Sequence, residues 1–382
     1  MEDLIKLRDE IDIIDDQIVS LYERRMAVAE GVAAYKRSVG KPVLDKEREK
    51  IKIQKVTAKA SNDFNRQGVE SLFSQIMAVS RMLQYQKLAS EGMDLDGFHM
   101  ESMKILPTTK VVYTGVPGAY AEAAMNGYFG QEIDGFNVET FGDAMEAVQS
   151  GKAEYGVLPI ENSSTGSVND VYDLLSAYDN HIVGEYMVKI EHALLGLPGS
   201  SLENIHTVYS HPQGLMQCSQ FLDKCRDWQQ VSLQNTAASA KRVMDDKDLG
   251  QAAIASKQAA KNYGLVVLKE KLNDLDNNST RFVVISNKKT FQENADKISI
   301  CFELPHESGS LYSILGHFIF NGLNMTRIES RPIKGEPWQY RFFIDFNGNL
   351  REQAVRNALH GIQSETESFR ILGNYIGVEQ PC

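Results

Sequence analysis

Apolar side chains recur at Leu4, Leu7, Ile11, Ile14, Ile18, Leu21, Val28, Val32 and Tyr35, the alternating three- and four-residue step of a heptad. The pattern predicts one long amphipathic helix. Because a heptad stripe needs a facing helix, it also predicts a helical dimer. A second helix opens after Lys41-Pro42 and sets Asp45, Arg48 and Glu49 on one face. A third, over about residues 67–90, has Leu72, Phe73, Ile76, Val79 and Leu83 as its stripe, bordered by Ser80 and Gln84. Residues 91–108 lose the helical period and contain Gly and Pro, so they read as a linker.

From Lys110 the period changes. Short apolar runs at Val111-Val112-Tyr113, near 136–141 and at 155–160 alternate with helical stretches at about 119–129 and 142–150. Such alternation predicts an α/β layer fold over residues 109–288, with sites at the strand C-termini. Residues 297–375 repeat a different order: a strand at 297–304, a helix near 309–321, strands near 324–331 and 339–346, a helix at 350–364 and a strand at 368–373. That is the β-α-β-β-α-β order of a ferredoxin-like α+β domain.

A chain of 382 residues is long enough for several such cores. Its 42% hydrophobic and 24% charged residues exclude disorder. No apolar run reaches the roughly 18 residues of a membrane span, and Met1-Glu2-Asp3-Leu4 has neither part of a signal peptide. Cys218, Cys225, Cys301 and Cys382 form no CxxC pair or metal-finger spacing, which suits a reducing cytoplasm. The net charge of −11 argues against nucleic acid as the main partner. Residues 1–90 nevertheless hold 16 Lys+Arg against 14 Asp+Glu, so the acidity lies elsewhere in the chain. That distribution points to a local anion site in the helical segment.

Arg25 stands where the heptad calls for Leu or Ile. A buried, unpaired guanidinium costs on the order of several kcal/mol. Arg25 therefore reaches solvent, pairs with an internal carboxylate or binds an anion. Lys36 shares its flank, three turns on. Arg8 lies 17 residues earlier, roughly 25 Å along the helix, and only a two-fold partner in antiparallel register would bring it to the same molecule. Taken singly, Asp45, Arg48 and Glu49 suit a solvated face, and Ser80 and Gln84 suit hydrogen-bonded core groups. As a set, they suit a small dicarboxylate, with guanidinium groups for its carboxylates.

Three strand-end loops stand out in the α/β segment: Gly115-Val116-Pro117-Gly118-Ala119-Tyr120, Glu161-Asn162-Ser163-Ser164-Thr165-Gly166-Ser167 and Ser210-His211-Pro212-Gln213. Hydroxyl- and Gly-rich loops before helices either cap the helix or bind a carboxylate at its N-terminus. Neither GxGxxG nor GxxxxGK occurs, so dinucleotide and P-loop readings lose their main support.

These strings carry a resemblance. Leu7-Arg8-Asp9-Glu10-Ile11, Glu23-Arg24-Arg25-Met26, Tyr35-Lys36 and Pro42 to Glu49, with Ser80 and Gln84, resemble the helical chorismate mutase domain of bifunctional chorismate mutase–prephenate dehydratases. The resemblance implies a cofactor-free Claisen rearrangement of chorismate. Arg25 and the partner chain's Arg8 would grip the carboxylates, with Ser80 and Arg48 assisting. Lys36 and Gln84 would face the ether oxygen, and Glu49 and Asp45 the hydroxyl. The Pro-Ile-Glu-Asn-Ser, Ser-His-Pro-Gln and Thr-Arg-Phe strings (Thr280, Arg281, Phe282) resemble prephenate dehydratases. That likeness implies a two-lobed α/β fold similar to periplasmic binding proteins. Thr280 would be the proton donor to the departing hydroxyl. Glu161, Asn162, Ser163, Ser210, Gln217, Thr236, Arg281 and Phe282 would surround prephenate, with Ser239 in the same small-residue loop as Thr236. His211 is open between general acid and loop residue. The first loop departs from the family at Ala121, where a Ser is usual.

Gly309-Ser310-Leu311-Tyr312 and Glu329-Ser330-Arg331-Pro332 are similar to the amino-acid-binding motifs of ACT domains, the first departing at Ser310 and Tyr312. They imply L-phenylalanine as a feedback effector. The expectation is a cytoplasmic, at least homodimeric bifunctional enzyme without metal or organic cofactor, nucleic acid or membrane partner. A ligand sensor without catalysis, or a mutase whose dehydratase half has decayed at Ala121, are the readings it competes with.

Overall fold

The computed structural model describes residues 2–89, 97–307 and 309–378; the start of the expected linker and Cys382 lie outside the described residues. The chain divides into two compact units, one of residues 1–97 with 300–371 and one of residues 98–299 with 372–382.

In the first unit three helices come first: α1 (Glu2–Ser38), α2 (Lys46–Thr57) and α3 (Asp63–Ala89). Asp45 is not on the face of α2 but caps it, its Oδ1 accepting from the Arg48 N–H at 3.0 Å, which satisfies one of the orphan donors of the first turn. The heptad stripe of α1 is not covered by α2 or α3: Leu4, Ile11, Ile18 and Leu21 are each more than half exposed. The buried positions of α1 are instead Ala29 and Ala33, small residues that let α3 approach. The most buried part of α3 is Met77, Ser80, Arg81, Met82, Gln84 and Tyr85, a polar-lined face rather than the expected apolar stripe.

The C-terminal part of this unit has the expected β-α-β-β-α-β order. Strand Tyr340–Asn347 lies between Met325–Pro332 and Lys297–Glu303, with Ser368–Tyr375 beyond the last. Helices Ser310–Phe320 and Gln353–Glu365 pack on each other and on α3. Tyr85 of α3 sits between His317 and His360, with ring centroids 5.8 and 5.5 Å away.

The second unit has two sheets. The first runs Asp134–Val138, Lys110–Thr114, Tyr155–Asn162, Ser279–Ser286, His181–Lys189. Its strand at 134–138 stops short of the expected 141 because Thr140 forms a reciprocal capping box with Asp143, opening helix Phe141–Gln149. The second sheet runs Gln229–Ser232, Thr207–Ser210, Gln251–Ala255, Ala193–Gly196, Val266–Lys269. All of it is inserted between strands His181–Lys189 and Ser279–Ser286, so the chain crosses between the sheets twice. Each sheet has its own apolar core, around Val111, Val157 and Val284 in one and Ala237, Ala253 and Ala259 in the other.

Gly118 closes the space between them. Its φ is +92°, and a Cβ there would lie 2.8 Å from the Ala259 Cα, so only glycine fits. Ser256 Oγ donates to the Gly118 carbonyl at 2.9 Å and Tyr263 OH to the Pro117 carbonyl at 2.8 Å. The Gly-rich loop of one sheet is thereby pinned to the helix of the other. Among the described residues no helix is long and apolar enough to cross a membrane.

Candidate active sites

The helices of the first unit enclose a cavity of about 350 Å³ lined by Arg25, Lys36, Asp45, Arg48, Glu49, Ser80, Arg81 and Gln84, with Val28, Ala29, Val32, Val43 and Met77 as apolar walls. Seven of the eight side chains singled out in this segment therefore meet. Arg8 does not, being on the exposed N-terminal half of α1. Burial draws the guanidinium of Arg25 and the ammonium of Lys36 below their ordinary pKa values, with Tyr22 and Glu49 opposing at Arg25, and Asp45 and Glu49 at Lys36. Arg25 donates to the Ile76 carbonyl and Lys36 to the Val43 carbonyl, so both heads are held beside the cavity. Among the described residues the Oε1 atom of Gln84 is buried with no hydrogen-bond partner, while its amide nitrogen donates to the Ser80 carbonyl at 3.0 Å. Arg81 was not among the sequence candidates. It is 8% exposed, and its guanidinium holds both oxygens of Glu49, at 2.8 and 2.6 Å. A cation at that position was legible, but its buried partner lies far away in the chain.

A cleft of about 530 Å³ lies between the two sheets of the second unit. Asn162, His211, Gln217, Thr236, Thr280 and Phe282 line it, as do Gly115, Ala119, Tyr120, Ala121, Phe141 and His192. Among the described residues its lining contains no Lys or Arg and one carboxylate, Glu139. A bound carboxylate would instead meet backbone N–H groups. Ala119 caps helix Tyr120–Phe129 without a side-chain hydrogen bond, and Thr236 opens helix Thr236–Asp246, where Asn235 Oδ1 takes only the Ala238 N–H, so helix N-termini face the cleft.

The structure does not bring Glu161, Ser163, Ser210 or Arg281 to this cleft. Residues alternate across a strand, so Thr280 and Phe282 face the cleft while Arg281 faces away and pairs with Glu185 at 3.0 Å and Glu161 at 3.4 Å. Ser163 Oγ accepts from the Ser279 N–H and donates to the Asn277 carbonyl, stapling its loop. Ser210 Oγ donates to the Ile254 carbonyl at 2.8 Å, beneath Gly214. Ser239, buried, donates back to the Asn235 carbonyl within its helix.

A directed chain of hydrogen bonds runs along the cleft. Asn162 Oδ1 accepts from the backbone N–H groups of Ser164 and Thr165, at 3.0 and 3.2 Å. Backbone N–H groups only donate, so the amide orientation is fixed. Asn162 Nδ2 must then donate to Thr280 Oγ1 at 2.9 Å, which leaves the Thr280 proton available to the cleft. Ser164 Oγ donates to Asn162 Oδ1 at 2.6 Å and so accepts from Gln217 Nε2 at 2.8 Å. Gln217 Oε1 thus faces His192 Nε2 at 3.0 Å, and this nitrogen carries the imidazole proton; Nδ1 faces the Tyr120 hydroxyl at 3.2 Å. Burial lowers the His192 pKa, against the Gln217 hydrogen bond, and raises that of Tyr120. Both are therefore neutral in this chain. His192 was missed because nothing in its neighbourhood, Ile190-Glu191-His192-Ala193, marks it. His211 caps helix Pro212–Met216 by accepting from the Gln213 N–H at Nδ1, and burial lowers its pKa. A neutral capping imidazole is a poor general acid.

A third cavity, of about 350 Å³, lies at the head of helix Ser310–Phe320 and is lined by Leu304, His306, Glu307, Ser310, Leu311, Trp338 and Tyr340 among others. Gly309, at φ +86°, leads into that helix. Glu329, Ser330, Arg331 and Pro332 lie on strand Met325–Pro332 and do not line this cavity.

Comparison with known proteins fits this division. The prephenate dehydratase family profile matches residues 111–290, and the chorismate mutase type II profile matches residues 7–85. A bifunctional chorismate mutase/prephenate dehydratase of Enterobacter agglomerans is 33% identical over 380 residues, covering 97% of this chain and 95% of that protein. Among solved structures, a prephenate dehydratase from Arthrobacter aurescens in complex with L-Phe is 31% identical with a TM-score of 0.66, covering 70% of this chain and 90% of that one. A protein described as a quorum-quenching acylase, GqqA, is 30% identical with a TM-score of 0.65, covering 70% of this chain and 98% of that one. A shared fold does not fix a chemistry, but the match over both segments and nearly the full length does fix the lineage: the chain belongs to the bifunctional chorismate mutase/prephenate dehydratase family.

Proposed function

We infer that the chain rearranges chorismate to prephenate in its helical cavity, converts prephenate to phenylpyruvate, CO2 and water in the cleft, and is inhibited by L-phenylalanine. The observation that carries this reading is the direction of the cleft hydrogen bonds, which leaves Thr280 as a donor whose oxygen is itself held by Asn162.

In the helical cavity no nucleophile is needed. The enzyme has only to hold chorismate in its compact chair and to stabilise charge on the ether oxygen as the bond breaks. Arg25 and Arg48 suit the carboxylates, Lys36 and Gln84 the ether oxygen, and Glu49 and Asp45 the hydroxyl. Arg8 enters from a second copy of the chain. The uncovered heptad stripe of α1 supports that dimer, since a row of large aliphatic side chains left in water favours a facing helix.

In the cleft, the ring carboxylate leaves as CO2 and its electron pair moves through the ring to expel the hydroxyl. Thr280 donates its proton to that hydroxyl as the C–O bond breaks, giving water. A threonine hydroxyl is a weak acid, and the Asn162 N–H stabilises the oxygen it leaves behind. Aromatisation supplies the driving force. The helix N-termini at Tyr120 and Thr236 suit the pyruvyl carboxylate. The two crossings between the sheets suit a cleft that closes as in periplasmic binding proteins.

The C-terminal β-α-β-β-α-β part is read as an ACT domain, its effector site begun by Ser310 and Leu311. The motif at Glu329 to Pro332 does not line that cavity within one chain, so in this reading a second copy supplies it. A cytoplasmic location belongs to the same reading. The test is purified protein with chorismate, following chorismate loss and phenylpyruvate formation with and without phenylalanine. Phenylpyruvate that phenylalanine suppresses supports all three parts. Prephenate that accumulates means a mutase beside an inactive dehydratase, and no turnover of either substrate overturns the reading in favour of a sensor.

A further inference from the structure

Glu49 is the member of the helical cavity whose carboxylate is most tightly held, and what holds it is anchored outside the three helices. One terminal nitrogen of Arg81 takes both Glu49 oxygens. Its Nε donates to Glu365 Oε1 at 2.9 Å, and its other terminal nitrogen to Ser313 Oγ at 3.2 Å. Ser313 in turn donates to Glu365 Oε2 at 2.9 Å. Every nitrogen of the guanidinium is thus engaged, which uses the planar fork that distinguishes Arg from Lys. Ser313 is on helix Ser310–Phe320, one turn from the cavity at its head, and Glu365 ends helix Gln353–Glu365.

Other links join the same elements. Lys46 pairs with Glu307 at 3.3 Å and Gln75 donates to Tyr312 OH at 2.7 Å. The Lys46–Glu307 side chains are 57% and 63% exposed, so solvent screens that pair and it fixes little. The Arg81 and Glu365 side chains are 10% and 6% exposed. A pair so enclosed holds its geometry firmly, and removing one partner leaves the other charge uncompensated.

We propose that Arg81 is a positioning residue of the mutase site, holding both oxygens of Glu49, and that Ser313 and Glu365 make the C-terminal helices part of the support of that site. The proposal rests on the mutase reading of the cavity. A dicarboxylate substrate entering it meets a Glu49 whose charge is already satisfied and whose oxygens point one way. Without Arg81 the Glu49 carboxylate is free to turn and repels the substrate, a loss in binding rather than in the chemical step.

The test measures mutase KM and kcat in the full-length chain, with dehydration of supplied prephenate as the check on folding. Arg81→Met is expected to raise KM for chorismate about tenfold, the worth of one charge-assisted hydrogen bond, with kcat within about threefold. In a Glu49→Gln chain the same substitution should raise KM no further, since the two act as one unit. Glu365→Gln and Ser313→Ala, which preserve shape and fold, should raise KM in the same direction by less. A KM unchanged by Arg81→Met, or raised equally in both backgrounds, makes Arg81 a packing residue and overturns the proposal. Unchanged KM in both Glu365→Gln and Ser313→Ala overturns the part given to the C-terminal helices. Absence of chorismate turnover in the unsubstituted chain sinks instead the mutase reading beneath it.

Discussion

Asn162 donates to Thr280, and not the reverse: two backbone N–H groups, of Ser164 and Thr165, occupy the Asn162 carbonyl oxygen and turn its amide nitrogen toward Thr280 Oγ1 at 2.9 Å. The relationship fixes what substitutions will do. Thr280→Ser keeps the donor and should retain dehydratase activity within about tenfold, whereas Thr280→Val removes it and should cost about 10² to 10⁴ in kcat. Asn162→Asp is nearly isosteric but accepts where a donor is needed, and should cost about 10². Steady-state kinetics on prephenate check this, with chorismate consumption unaffected in all three. Full dehydratase activity in Thr280→Val would remove Thr280 from the chemistry.

The far end of that chain is His192, which donates to Gln217 Oε1. His192→Ala leaves the half-buried Gln217 amide oxygen without its donor, and Gln217 loses its orientation toward Ser164. The expected loss in dehydratase kcat is about tenfold, comparable to one lost hydrogen bond. His192→Asn, which keeps a side-chain N–H, should recover part of it. Equal activity in the two variants would show that His192 serves packing against Tyr120 only.

How much of this was legible in the sequence depended on whether the relevant partner was local. The β-α-β-β-α-β order, the strand-end loops and the set around Arg25 could be read because each depends on spacing within consecutive elements. The support of Glu49 could not, because Ser313 and Glu365 lie 232 and 284 positions from Arg81 along the chain. Arg281 shows the opposite failure. It stands inside the Thr-Arg-Phe string, yet strand alternation sends it to Glu185, away from Thr280. Heptad spacing located a stripe on α1, but spacing alone did not show that the chain's own helices would pack on Ala29 and Ala33 instead.

That stripe yields a prediction about sharing of sites. Ile14→Asp places a charge in the uncovered row of α1, and should halve the mass by light scattering and abolish mutase turnover while sparing dehydration of prephenate. Chains carrying Arg8→Ala and Arg25→Ala, each inactive alone, should recover about a quarter of the wild-type mutase sites when mixed equally, because half the dimers are hybrids and each hybrid has one intact site. No recovery on mixing, with dimers shown to exchange, would mean that Arg8 does not serve a neighbouring chain.

The anchor of Arg81 gives the acid side of stability a defined origin. Burial alone would push the Glu365 carboxyl up, but His317, Arg81 and Ser313 outweigh it and bring it from the ordinary 4.5 down to about 2. The unfolded chain thus binds this proton more readily than the folded one. Stability contributed by Glu365 is therefore fully present above about pH 4.5 and is lost as pH falls toward 2. Glu365→Gln lacks the titration, so its denaturation midpoint should lie below that of the unsubstituted chain at pH 7 and converge with it as pH drops through that window. Helical circular dichroism in urea, from pH 7 down to 2.5, measures both curves. Two curves that stay parallel throughout would show that the Arg81–Glu365 pair contributes shape and not charge to the fold.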